Sequence, residues 1–341
     1  MQPTLRILDA NLNRAREGLR TCEEYARLAL NDARSTHAVK AARRAVAACS
    51  DLLGLERLLS SRNIGTDVGV QPDADDVSRG TVRDVALAGI KRAQEALRVV
   101  EEFSQLENRQ ASAAAAKARY AAYEAEQQLF VAAPRREVVR GSPVMAIFTR
   151  SLCRKAWPET LKALYQAGAR LYQLREKEAS AREFAEFAAA FTEQAPGACV
   201  IINDRADIAA LHGAGVHVGQ TDLHPDDARR VAGPAAIVGV STHDVTEALH
   251  AEAHGADYIG LGAMFETGTK VVQSQIGPAA ISAIAAGVTI PVFPIGGITP
   301  ENVKQIASAG GRHVAVSAAL LGADQPAEVY RLLLAGLREV G

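Results

Sequence analysis

Residues 199–220, CVIINDRADIAALHGAGVHVGQ, decide the fold of the larger part of this chain. They open with a β-branched run that ends in Asn203 and Asp204, pass through an amphipathic stretch, and enter a second apolar run, GVHVGQ, that again ends in polar residues. A short strand, a helix and another short strand form the repeating unit of a parallel sheet. On either side the unit recurs, in VMAIFT from Val144, RLYQLRE from Arg170, AIVGVST from Ala236, ADYIGLGAMF from Ala256, PVFPIGGI from Pro291 and HVAVSAALLG from His313. With the two runs of the opening stretch there are eight. Eight strands alternating with helices over roughly 200 residues fit a closed (β/α)8 barrel better than an open doubly wound sheet. In such a barrel, function sits where the strands end.

Before residue 135 the pattern changes. Leu8, Leu12, Ala15, Leu19, Cys22 and Ala26 step by three or four, as one face of a helix does. This predicts helices over roughly 6–30, 36–59, 80–106 and 109–131, with a long irregular connection at SRNIGTDVGVQPDADD. The stretch NRAREGLRTCEEYARL from Asn13 returns as KRAQEALRVVEEFSQL from Lys91, which marks an internal duplication. The expected organisation is an all-α helical-bundle domain at 1–132, a linker at 133–142 in PRREVVRGSP, and an α/β domain, the C-terminal (β/α)8 TIM barrel, at 143–341.

A net charge of −1 offers no general grip on nucleic acid or a membrane surface. The apolar runs stop well short of the ~20 residues that cross a bilayer, and a cytoplasmic protein is expected. Cys22, Cys49, Cys153 and Cys199 lie far apart without a CxxC, so neither a zinc site nor a disulfide framework is expected from them.

Chemistry-bearing residues collect at the C-terminal ends of the eight runs. Gln173, Arg175 and Lys177 alternate in QLREK, so as a strand they project to one side and suit a di- or triphosphate. Asp204 and Asp222 end neighbouring strands, where they could share Mg2+ with a substrate phosphate. They would equally serve as caps of the helices that follow. His217 and His243 could ligate a softer metal, but hydrogen bonding is the commoner use and neither is assigned to one. ETGTK at 266–270 offers two hydroxyls and a cation beside the sixth run. Gly296, Gly297, Thr299 and Ser317, in the last two runs, suit a monophosphate bound by backbone N–H groups. Two anion sites with no obvious protein nucleophile suggest a transferase that joins two phosphorylated small molecules by assisting a leaving pyrophosphate.

Through QLREK, IINDR, GVHVGQTD, GVSTH, ETGTK, PIGGI and AVSAAL, in that order, residues from about 143 to 341 resemble thiamine-phosphate synthases (thiamine-phosphate pyrophosphorylases). The resemblance implies coupling of 4-amino-2-methyl-5-hydroxymethylpyrimidine diphosphate with 4-methyl-5-(2-hydroxyethyl)thiazole phosphate, with Mg2+ as cofactor and a dissociative loss of pyrophosphate. Carried over by position, Gln173, Arg175, Lys177 and Asn203 would meet the pyrimidine diphosphate, and Asp204 and Asp222 would hold Mg2+. His217 and Ser241 would line the pyrimidine and pyrophosphate region, Thr267 and Thr269 would meet the thiazole phosphate, and Lys270 the pyrophosphate. Gly297, Val316 and Ser317 would complete the phosphate cradle. Arg175, Lys177, Ser241 and Lys270 are the expected catalytic groups. Ala263 and Glu266 stand where the family often has proline. A thiazole tautomerase shares the fold, and Lys270 with the full QLREK argues against it.

DANLNRAREGLR, IKRAQEALRVVEEF and RNIGTDVG resemble a helical domain often fused before such synthases and associated with hydroxymethylpyrimidine-phosphate kinase activity. Its candidate site is Asp9, Asn11, Arg14, Glu17, Arg20, Arg62, Asp67, Arg92, Glu95 and Arg98, with ATP as the candidate phosphate donor although no P-loop is present. Pseudo-twofold pairing of the two copies would bring both charged faces into one groove. The competing expectation is a non-catalytic dimerisation or docking module. A homo-oligomer is compatible with the sequence, which does not fix it.

Overall fold

A computed structural model of the chain describes residues 3–62, 80–266 and 276–338. It forms two compact units, residues 1–133 and 134–341.

In the first unit, α1 (Pro3–Glu24), α2 (Ala33–Leu53), α3 (Leu55–Ser60), α4 (Val82–Ser104) and α5 (Arg109–Gln127) pack as a bundle. The apolar stripe read on the first helix, Leu8 through Ala26, is wholly buried. The single helix expected over 36–59 is instead two, because Gly54 takes φ +85°, a conformation that ends α2 and that only glycine adopts without strain. On α5 the buried face is alanine throughout, at 111, 115, 118, 122 and 125, which lets α2 approach closely.

The duplication in sequence is also one in structure. A Cβ on Gly18 of α1 would lie 2.3 Å from the Gly89 carbonyl oxygen of α4, so the two helices cross at that pair of glycines. Gly18 also faces Ala93, and the Cys22 thiol reaches the Ala86 carbonyl, so α1 and α4 run antiparallel. Equivalent ion pairs recur in each copy. Arg43 of α2 meets Glu23 as Arg119 of α5 meets Glu101, and Arg20 meets Glu24 as Arg98 meets Glu102.

The stretch expected as a linker at 133–142 is helical over most of its length. Residues Ala133–Gly141 form α6. Pro134 does not prevent it, because it follows directly on a π-helical turn at Gln128–Ala132 that continues from α5, where the regular α-helical hydrogen bonding is already interrupted. Val139 of α6 is buried with Met145, Leu171, Ile201 and Phe293 of the barrel interior, so α6 plugs the N-terminal end.

The eight strands are β1 (Val144–Phe148), β2 (Leu171–Leu174), β3 (Cys199–Asn203), β4 (Gly215–Val218), β5 (Val238–Thr242), β6 (Tyr258–Gly262), β7 (Val292–Ile295) and β8 (Val314–Val316). All pair in parallel, in sequence order, and β8 returns to β1 to close the barrel. Helices α7 (Trp157–Gln166), α8 (Ala181–Gln194), α9 (Ala206–His212), α10 (Pro225–Ala232), α11 (Val245–Ala253), α12 (Ala280–Gly287), α13 (Val303–Ser308), α14 (Ala318–Leu321) and α15 (Pro326–Arg338) follow them. Strands covered on both faces need apolar residues on both, which is why these runs read as nearly continuous hydrophobic blocks. Alternate side chains fill the barrel, and the others pack under the helices. Among the described residues, no helix is long and apolar enough to cross a membrane.

Candidate active site

The inward positions of β2, β4, β5 and β6 place Gln173, His217, Ser241 and Tyr258 together above the apolar plug. Register sets this arrangement, since His217 pairs with Asn203 on one side and Gly239 on the other, while Ser241 pairs with Gly260. Glycine at 239 is a requirement of packing: a Cβ there would sit 2.1 Å from Cζ of Tyr258. With the space open, the Tyr258 ring reaches across and its hydroxyl lies 3.0 Å from Nδ1 of His217, whose Nε2 is 2.9 Å from Ser241 Oγ. Gln173 lies beside the phenol and favours its ionised form, against the larger effect of burial.

These groups are uncharged at neutral pH. Burial pushes the His217 imidazolium down to about 4, with Asp222 opposing and Arg175 adding to the shift. The neutral ring therefore donates through one nitrogen and accepts at the other. Burial likewise raises the Tyr258 phenol far above its usual range. Tyr258 was missed in the sequence. Its signal was the alternation Tyr258, Gly260, Gly262, which sets one large inward residue opposite small neighbours.

At the rim the charges differ. Asp204 is pushed up from the usual carboxylate range, first by burial and then by the charge and hydrogen bonding of Asp222, while Lys177 and Arg175 pull it down. Two carboxylates close enough to interact, beside two cations, thus form one cluster. Asp204 has φ +63°, and its N–H donates to the His217 carbonyl at 2.8 Å. Asp222 accepts the Gly219 N–H at 2.8 Å. Neither acid caps the following helix, for the N-cap positions of α9 and α10 are Arg205 and His224. The capping alternative is therefore overturned.

The strand alternation expected for Gln173, Arg175 and Lys177 holds only for the first of them. β2 ends at Leu174, because after Phe148 its neighbour turns away into a short 3-10 helix at Arg150–Leu152. Arg175 donates its N–H to Phe148 and gives its carbonyl to the Thr149 hydroxyl, and Lys177 follows in an exposed loop. Their charges reach Asp204 from this loop.

On the opposite strands, Gly296 and Gly297 take φ +101° and +63°. A Cβ on Gly297 would lie 2.3 Å from the Glu266 carbonyl, and Asn302 donates to the Gly297 carbonyl at 2.7 Å, so this turn is held close against the end of β6. Ser317 lies half-buried between β8 and α14. The Val316 side chain packs in the layer under the helices, so only its main chain is left for the mouth. Thr267, Thr269 and Lys270 lie outside the described residues. His243 is exposed and bonds Glu247 through Nδ1 at 2.9 Å.

In the helical unit, Arg14, Glu17 and Arg20 on α1 and Arg92, Glu95 and Arg98 on α4 are all exposed. Antiparallel helices that carry equivalent residues are related by rotation about an axis perpendicular to both. Such a rotation keeps equivalent faces on one side of the pair, so the two charged faces adjoin. Asp9 binds Arg62 through both its oxygens, at 2.6 and 3.0 Å, and buried Asn11 donates to the Ile7 carbonyl at 2.9 Å. Asp67 lies outside the described residues.

Fold and site define a (β/α)8-barrel enzyme with paired carboxylates and two cations at its mouth. A family model described as thiamine monophosphate synthase matches residues 144–320, and a second, the ThiD2 family, matches residues 6–128. The thiamine-phosphate synthase of a Nostoc species is 34% identical over 343 residues, covering 99% of this chain and 95% of its own. That of Gloeobacter violaceus is 36% identical over 332 residues, covering 95% and 94%. Among solved structures, a thiamine phosphate pyrophosphorylase from Pyrococcus furiosus matches with a TM-score of 0.53 and 31% identity, over 60% of this chain and 98% of its own. The chain belongs to the thiamine-phosphate synthase family, transferases of thiamine biosynthesis.

Proposed function

We propose that the barrel joins 4-amino-2-methyl-5-hydroxymethylpyrimidine diphosphate to 4-methyl-5-(2-hydroxyethyl)thiazole phosphate, releasing thiamine phosphate and pyrophosphate. The proximity of Asp204 and Asp222 carries the proposal. Two neighbouring carboxylates, one held above its ordinary pKa by burial and by the other, call for a cation between them. Their all-oxygen chemistry fits Mg2+, which takes one or two carboxylates and completes its shell with substrate phosphate. When bound, Mg2+ would supply charge neutralisation to the departing pyrophosphate.

Arg175, Lys177 and Lys270 bind the diphosphate and compensate the charge that develops as the carbon–oxygen bond breaks. The uncharged floor of Gln173, Tyr258, His217 and Ser241 suits a neutral aminopyrimidine. It offers hydrogen bonds but no acid strong enough to protonate the ring. The ring then stabilises the methylene cation left behind, and the thiazole nitrogen captures it with its lone pair. Gly296, Gly297 and Ser317, with the Val316 main chain, hold the thiazole phosphate, a role Thr267 and Thr269 share by resemblance.

The helical unit phosphorylates the pyrimidine monophosphate, with ATP as donor, and so supplies the barrel. The match of residues 6–128 to the ThiD2 family and the adjoining charged faces of α1 and α4 support this second activity. Product analysis of the full chain tests both. One reaction holds Mg2+, ATP, thiazole phosphate and pyrimidine monophosphate; the other holds pyrimidine diphosphate without ATP. Thiamine phosphate is expected from both, with residues 1–133 needed only for the first. Product from the second alone would remove the kinase. Product from neither would remove the barrel chemistry.

A further inference from the structure

On the outer edge of the barrel, between α10 and α11, His224, His250 and His254 bring one ring nitrogen each to within 4.8 Å of one another. His250 and His254 are four positions apart at the end of α11, which puts them on one face of that helix. His224 occupies the N-cap of α10, where its side chain makes no capping bond. The ring centroids of His254 lie 4.3 Å from those of His250 and 4.5 Å from those of His224. Beside them Oδ2 of Asp226 is 3.1 Å from Nδ1 of His254 and 3.5 Å from Nδ1 of His224.

We infer that His224, His250 and His254 form a binding site for a borderline divalent metal ion of the zinc class. A carboxylate that holds the Nδ1–H of an imidazole is the usual outer partner of a metal-binding histidine, because it fixes the ring and leaves Nε2 as donor. Three nitrogen donors select zinc, cobalt, nickel or copper rather than Mg2+, which demands oxygen. Tetrahedral zinc with Zn–N bonds of 2.0–2.1 Å needs its nitrogens about 3.4 Å apart. His224 and His250 are exposed and His254 is half-buried, so side-chain rotation can close the difference.

The position gives the site a consequence for the barrel. A cleft of ≈210 Å³ is lined by Asp222, His224, Glu247 and His250, and so runs from the carboxylate at the mouth to the histidines. His224 ends the loop that carries Asp222. A metal ion shared with α11 clamps that loop from outside, in chemistry distinct from the paired aspartates, and does not depend on which reaction the barrel performs.

The test is calorimetric titration of the chelator-stripped full chain with Zn2+ in a Mg2+ buffer, repeated with Co2+ to read its visible absorption. One equivalent bound at micromolar affinity or tighter is expected, with the absorption of four-coordinate Co2+ and a rise in melting temperature. Affinity should fall at least about tenfold in His250→Gln and in His254→Gln, and stay unchanged in Asp204→Asn. Binding that survives intact in the His250→Gln/His254→Gln double variant, or none tighter than millimolar in the wild type, would overturn the inference. Zinc-edge X-ray absorption of the wild-type complex decides without any variant: imidazole scattering supports the site, and an all-oxygen shell refutes it.

Discussion

The barrel mouth and the face of the α1–α4 pair both collect arginines and acids, but by different physics. In the barrel, closure brings the loops that follow separate strands to one mouth, so that Asp204 and Asp222 lie close enough to interact despite their repulsion. On the helix pair, each charge sits at a spacing where it can find a partner on its own helix, as Arg20 does with Glu24 and Arg98 with Glu102. Repulsion tolerated in a folded protein points to a ligand. Charge already satisfied locally does not by itself, and the two faces therefore respond differently to substitution.

The largest effect is expected at Asp204. Asp204→Asn should lower synthase turnover by about 10²–10³-fold, as loss of one preorganised electrostatic group does. Trp157, the only tryptophan in the chain, packs on Phe187 and Phe191 and reports the fold of the barrel alone. Its emission should be unchanged in the variant. Near-normal turnover would mean that the carboxylate pair is not the working centre, and the contrast between the two faces would fail.

His217 comes next. Its folded pKa, near 4, is depressed below the 6.5 of an exposed imidazole. Between those values the unfolded chain binds the proton and the folded chain does not, so stability rises with pH across this window and is lost as pH falls from about 6.5 toward 4. The shift corresponds to about 3 kcal/mol. Urea titrations followed by Trp157 at pH 7 and pH 4.5 should show a smaller pH-dependent loss in His217→Gln than in wild type. Equal losses in both would mean that the ring titrates at its ordinary value, so that the floor of the site gains charge once the pH falls below about 6.5.

How much of this was legible from the sequence depended on whether the signal was local. Eight apolar runs separated by amphipathic stretches announce a barrel, because each strand must satisfy both the interior and the helix layer. The aspartates were readable because strand ends are where a barrel gathers function. By contrast, Arg175 and Lys177 were placed on a strand that stops at Leu174, since the end of β2 is set by where β1 turns away and not by anything in QLREK. The helix at 133–141 was hidden by Pro134, which ordinarily ends a helix in its interior and here follows a π-helical turn that nothing local in the sequence announces. Tyr258 waited on Gly239, nineteen residues away in sequence and adjacent only through the register of β5 on β6.

Close packing offers a comparison of intermediate size. Gly239→Ala would thrust a methyl against Tyr258, and Gly18→Ala would press one onto the Gly89 carbonyl. Each should cost about 1–3 kcal/mol. The first is expected to lower the Trp157-monitored midpoint and synthase turnover together, because Tyr258 holds His217. The second should lower the stability of the helical unit, measured by loss of helical dichroism, without altering the Trp157 midpoint. A shift of both midpoints in either variant would show that the units unfold as one.

The smallest effect on stability is the most informative about the helical face. Arg20 and Glu24 form an i,i+4 pair whose side chains are 55% and 36% exposed, the kind worth only about 0.3–0.5 kcal/mol. Arg20→Ala should therefore leave the helical dichroism melt almost where it was. If Arg20 is held in place to meet a phosphate, conversion of pyrimidine monophosphate should nevertheless fall by at least about tenfold, the scale of one lost charge-assisted hydrogen bond. Synthase activity supplied with the diphosphate should be untouched. A variant with both activities intact would leave the repeated arginines as surface pairs. The duplication would then be explained by the antiparallel packing of α1 on α4, since a helix hairpin that buries its apolar face against a second copy of itself needs no further reason to be repeated.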